Sequence, residues 1–209
     1  MTRNEYFRHS TGSAKRWPAT RATDVNDWAE DIEANGRIAV DEPDILARTA
    51  FVLAYFGDDI AACSSLIERA PELNPSSAYA WLCSGWIRLW AGEPGTAIEH
   101  FHTYFRLNPR GIRGTALTGI GFAHFFEQRW EEAVATFRAS MQLLPLYPLA
   151  RCGLTSCYSH MGRLDDARTT VERLGAVTPL VMRSITLFRN PEHRELFLSG
   201  LRLAAGEQT

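Results

Sequence analysis

Apolar residues recur at near-helical spacing in two runs between Ala78 and Arg110, in the stretch AYAWLCSGWIRLWAGEPGTAIEHFHTYFRLNPR. The pattern predicts two helices with a turn between them. Trp81, Gly85 and the apolar residues around them belong to the first helix, and Ala97, Phe101 and Leu107 mark the second. Gly92, Glu93 and Pro94 supply the break, because Gly tolerates the positive φ of a helix end and Pro fits only the first turn of the next helix. Asn108 and Pro109 stop the second helix.

The same stretch matches the chain elsewhere. Shifted back by 34 residues, Pro109 falls on Pro75, Leu107 on Leu73, Phe101 on Ile67 and Ala97 on Cys63. Shifted forward by 36, Gly85 falls on Gly121, Ala97 on Ala133, Phe101 on Phe137 and Pro109 on Pro145. A further 34 carries Ala133 to Ala167, Phe137 to Val171 and Pro145 to Pro179. The period is therefore 34 residues, with two extra residues absorbed around Arg110 to Arg113. Gly85, Gly121, Ala97, Ala133 and Ala167 are the small positions that let helix backbones approach while larger side chains fill the gaps.

A unit of this length, with an aromatic early in its first helix, a small residue four positions on, Ala-x3-Phe in its second helix and a closing Pro, resembles the tetratricopeptide (TPR) repeat. The third unit carries the second-helix signature most fully, in Trp130, Ala133, Phe137 and Pro145. The resemblance implies an all-α solenoid of about four helix-turn-helix repeats, at residues 44–77, 78–113, 114–147 and 148–180 within an array over 43–180. In the first repeat helix A is expected from Pro43 to Phe56 and helix B from Asp59 to Glu72. Phe51 takes the small-residue position there and Pro71 lies inside helix B, so less regular packing is expected.

The flanks differ in character. Residues 1–22 are polar and basic, with Arg3, Arg8, Lys15, Arg16 and Arg21, and are expected to form a flexible tail that cannot bury enough apolar area to offset its ordering entropy. Residues 23–42 predict a leading helix of an incomplete repeat, with Val25, Trp28 and Ile32 on one face. Residues 181–209 predict a capping segment: Asn190, Pro191 and Glu192 read as a helix start, and Leu196, Phe197, Leu201 and Leu203 form an apolar face suited to covering the last exposed face of a solenoid.

Composition narrows the function classes. The 209 residues are 45% hydrophobic and 11% aromatic, which is ample for a packed core. A formal charge of −2 and pI near 6.3 give no electrostatic case for nucleic acid or an anionic membrane. Cys63, Cys83, Cys152 and Cys157 fall on predicted helices and read as reduced apolar residues. The N-terminus lacks a signal-peptide core and no run of about 18 apolar residues exists, so a soluble cytoplasmic protein is the expectation.

The TPR resemblance also implies which first-helix positions point into the concave surface. Carried onto this chain they are Arg48, Val52, Tyr55 and Phe56 in the first unit, and Tyr79, Leu82, Trp86, Leu89 and Trp90 in the second. The third gives Thr118, Phe122, Phe125 and Phe126, and the fourth Leu149, Cys152, Ser159 and His160. From these, Arg48, Tyr55, Tyr79, Trp86, Trp90, Phe122, Phe125, Phe126 and His160 are the candidate partner-binding residues. Such a groove would accept an apolar helix or extended segment of a protein partner, and carries little of the Lys, Arg and Asn chemistry that holds a terminal carboxylate. The alternative is that other parts of the same chain, or a second copy, cover these aromatics. Arg88 lies on the packing stripe and calls for burial of its stem past Trp81 or for an acid such as Glu127 or Asp59.

Catalytic chemistry is not visible. GIRGTALTGIG follows no strand and lacks the Lys-Ser/Thr ending of a phosphate loop. Glu99 with His102, and Cys152, Cys157 and His160, lack the tight paired spacing of a structural zinc site, and Ser64, Ser65, Ser76 and Ser77 suggest no His base. No cofactor and no metal are expected. The stretches SSAYAWLCSGWIRLWAGEPGTAIEHF, GIGFAHFFEQRWEEAVATF and FRNPEHRELFLSGLRLAAG are similar to the TPR tails of bacterial class III adenylate/guanylate cyclases and of some winged-helix regulators. That resemblance covers about residues 43–205 and implies a regulatory or scaffolding tail without a catalytic domain.

Overall fold

The computed structural model describes residues 43–57, 59–111, 113–172 and 185–206. All of them lie in one compact unit, Gly36–Thr209. The expected tail at 1–22 and leading helix at 23–42 fall outside the described residues, as does 173–184.

Among the described residues the chain forms helices and no strand. In order they are α1 (Pro43–Phe56), α2 (Ile60–Leu73), α3 (Ala78–Ala91), α4 (Pro94–Leu107), α5 (Gly114–Phe126), α6 (Trp130–Leu143), α7 (Pro148–His160), α8 (Leu164–Glu172) and α9 (Pro191–Ala205). The first eight pair as four helical hairpins, each second helix also packs on the next first helix, and successive first helices touch. The architecture is a TPR-type α-solenoid.

Local chemistry fixes the helix ends. Asp59 caps α2 by accepting from the Ala62 N–H at 2.9 Å, and Ser77 caps α3 by accepting from Ala80 at 3.1 Å while its hydroxyl donates to Asp44 on α1. Gly92 closes α3 at φ 95°, where Glu93 N–H returns to the Arg88 carbonyl at 2.9 Å. The same turn position is taken by Gln128 at φ 58° and by Gly162 at φ 74°. Pro71 sits in the last turn of α2, and the helix runs through it to Leu73.

The repeat is held together by phenylalanines clamped between glycines. A Cβ added to Gly85 or to Gly119 would lie 2.7 or 2.4 Å from the Phe101 ring. One added to Gly121 or Gly153 would lie 2.7 or 2.3 Å from the Phe137 ring. Each ring is thus gripped by its own first helix and by the first helix of the next unit, and both rings are fully buried. That interlock leaves room for no side chain at the four contact points.

First and second helices are buried very differently. In α5 and α7 almost every residue is buried, whereas α4 and α6 bury one face. A helix that is apolar all round needs cover on every side, and α9 supplies part of it. Asn190 caps α9 by accepting from Glu192 and His193, and the helix packs chiefly on α7. There Gly200 lies against Ser156, whose hydroxyl donates to the Phe197 carbonyl at 3.0 Å. Phe197 is fully buried and reaches Phe122 and Phe125 of α5.

Candidate functional site

The first helices carry the candidate residues, and the structure divides them into two groups. In the first, Phe51 and Tyr55 of α1 face Trp90 of α3 at ring distances of 5.1 and 6.3 Å, and Trp86 stands 5.9 Å from Trp90. Arg48 is exposed, with its guanidinium carbon 5.6 Å from the centre of the Tyr79 ring. In the second group Phe122 and Phe125 are fully buried and Phe126 nearly so. His160 stacks on Trp130 at 5.3 Å and donates from Nε2 to the Leu196 carbonyl at 2.8 Å.

The second group is covered by the chain itself. Phe188 lies 5.1 Å from Phe122 and 4.9 Å from Phe126, and His193 stacks flat on Phe126 at 4.3 Å. The nine candidate residues therefore do not line one open groove. Thr118 also departs from the expected concave position: its hydroxyl meets Ser140 at 2.7 Å and donates to the Gly114 carbonyl, so it serves the packing of α5 on α6. Leu89 is buried, while Val52 and Phe56 are exposed.

The first group borders an open cavity of about 320 Å³. Tyr55, Tyr79, Trp86 and Trp90 line it with Phe51, Leu82, Cys83, Thr115, Tyr147, Pro148, Leu149, Leu187 and Phe188. No charged residue is among them. Burial pushes the hydroxyls of Tyr79 and Tyr147 and the thiol of Cys83 up to about 12, so all three stay protonated at neutral pH. A protonated, buried thiol is a poor nucleophile and a poor metal ligand. The surface is apolar and aromatic with a few hydroxyls at its edge.

Phe51 and Tyr147 belong to this site although the repeat positions did not select them. Phe51 occupies the column of Gly85 one repeat earlier, and a ring in place of a hydrogen reaches Trp90. Tyr147 precedes Pro148 at the start of α7. Arg88 has neither expected partner: it pairs with Glu68 of α2 and Glu93 of the following turn, its side chain 13% exposed. The acids come from the preceding second helix and from its own turn, which a search along one helix face misses.

Residues 124–180 match the tetratricopeptide repeat family model. No curated protein matches the chain. Among solved structures, the type IV pilus biogenesis factor PilW is 14% identical over 88% of this chain and 87% of its own, with a TM-score of 0.67. YrrB, described as a TPR protein with an unusual peptide-binding site, is 18% identical over 86% and 93%, with a TM-score of 0.56. PilF of Pseudomonas aeruginosa is 20% identical over 83% and 79%, with a TM-score of 0.55. At these identities the likeness is one of fold. Among the described residues no helix is long and apolar enough to cross a membrane.

Proposed function

We propose that this chain is a non-enzymatic interaction module that receives an apolar segment of a protein partner in the open half of its first-helix face. The observation that carries the reading is the uncharged aromatic cavity of about 320 Å³ between α1, α3 and α7. A large apolar side chain entering it exchanges water contact for aromatic walls, and each fully buried residue of that kind contributes about 1.5–3 kcal/mol. Leu187 and Phe188 already occupy one wall, so an incoming segment would extend an apolar surface rather than start one.

A peptide-display selection against the full chain tests this. The selected sequences should be apolar and aromatic, and Leu82→Arg, which places a charge in the cavity wall, should abolish their binding. A consensus without large apolar residues, or binding indifferent to Leu82→Arg, overturns the reading. A second reading is a regulatory component acting on a separate nucleotide cyclase chain. It rests on the sequence resemblance noted above alone, to which the matched family and structures add nothing. Stimulation or inhibition of a class III cyclase domain by the added chain is its test.

A further inference from the structure

Residues 185–187 are helical, and the chain then runs through Phe188 and Arg189 across the first-helix face to α9. Leu187 and Phe188 are buried. The Arg189 N–H donates to the Trp90 carbonyl at 2.8 Å. That carbonyl sits where the helical partner four residues on would be Pro94, which has no N–H to give. The Arg189 guanidinium donates from Nη2 to the carbonyls of Gly57 and Ala54, at 2.5 and 3.4 Å, at the C-terminal end of α1. Asn190 then lies against the Cβ-free edge of Gly92 and starts α9.

These contacts within the chain have three parts. Phe122 and Phe126 form a slot for an aromatic ring. One residue on, the arginine head meets carbonyls at the C-terminal end of α1, where the helix dipole favours a cation, while the backbone N–H beside it serves the Trp90 carbonyl of α3. Arginine suits it because several N–H groups share one planar head. Beyond that, the closed turn at Gly92 admits a residue that caps a helix. The order is fixed: aromatic, arginine, helix start.

We infer that the segment 185–190 is an internal copy of a partner's recognition element, and that the partner presents an aromatic residue followed directly by arginine at the start of a helix. This goes beyond the open cavity: it concerns the half of the first-helix face that the chain itself covers. The internal copy competes at the high effective concentration of a tethered ligand. A free partner therefore meets a site available only in the fraction of molecules whose own segment has lifted, and its apparent affinity falls by that fraction.

The experiment is fluorescence polarisation with a labelled synthetic peptide of residues 185–193, ITLFRNPEH, titrated with the full chain and with full-length Phe188→Ala/Arg189→Ala. Removing the internal competitor should tighten binding by about tenfold or more, and replacing the peptide's own Phe or Arg by Ala should lose as much. Arg189→Ala alone, which deletes only polar contacts at the helix ends, serves as the second variant, and helical content is checked by circular dichroism. Equal affinity for native and variant chains overturns the inference. So does no binding to either variant while helical content is retained. A peptide-free dimer held by exchanged segments would overturn it in favour of a second copy as occupant. Apolar peptides sensitive to Leu82→Arg report on the open cavity separately, so the two readings fail independently.

Discussion

Phe188 meets Phe126 edge to face, with ring centroids 4.9 Å apart and planes at 79°. The two residues are distant in sequence, one at the end of α5 and one just before α9, and their contact closes half of the first-helix face. What stays open is the part walled by α1 and α3. Replacing Phe188 by Ala should cost about 3–5 kcal/mol in the contacts it makes, the range for deleting a buried ring. The loss is expected mainly in the C-terminal segment, because the solenoid hairpins keep their own clamps. Amide exchange should speed up at Arg189 while α3 to α6 remain protected.

The glycine clamps give a sharper test of packing. Gly153→Ala puts a methyl 2.3 Å from the buried Phe137 ring, and should destabilise by about 1–3 kcal/mol as the ring is forced aside. Gly95→Ala, in the exposed first turn of α4 with only the Glu127 carboxylate 3.7 Å away, should be neutral or stabilising by up to about 0.5 kcal/mol. Urea unfolding of the two variants beside the parent chain reads the difference.

Gln128 holds φ 58° at the turn position that Gly92 and Gly162 occupy in neighbouring repeats. An L-residue with a Cβ pays about 1–2 kcal/mol in this region, part of which glycine gives back as unfolded-chain entropy. Gln128→Gly should therefore stabilise the chain by up to about 1 kcal/mol, visible as a raised thermal midpoint.

Acidification should weaken the fold. His100, His124 and His193 are all held below the usual imidazole value, burial being the largest cause in each, with Arg88 adding to it at His100 and Arg129 at His124. The unfolded chain, with imidazoles near about 6.5, binds more protons than the folded one below that pH. The stability is thus complete above about pH 6.5 and is lost as the pH falls toward the depressed folded values. The thermal midpoint should be lower at pH 5 than at pH 7, and His193→Leu should reduce the difference.

The helical order of this chain is written in its periodicity, because each hairpin is set by contacts within about 34 residues. The bounds of α1 and the start of α9 at Asn190, Pro191 and Glu192 follow from local chemistry alone. Gly119 and Gly153 are not among the small positions that the period picks out, since their role depends on which ring of the preceding unit reaches them. The pairing of Arg88 with Glu68 needs the register between α2 and α3. Nothing local states that Phe188 ends between Phe122 and Phe126. The one hint is α5 itself, whose sequence GTALTGIGFAHFF is apolar on every side and so calls for cover on the face that a solenoid leaves open.

Photo-crosslinking puts the central claim to the most direct test. A display-selected apolar peptide carrying benzoylphenylalanine in place of its principal aromatic residue is irradiated with the full chain, and the attachment sites are read by mass spectrometry. The account predicts attachment on α1, α3 and the start of α7, at residues such as Tyr55, Tyr79, Leu82 and Tyr147 that border the cavity. Attachment on the outer helices α2, α4, α6 or α8 would contradict it.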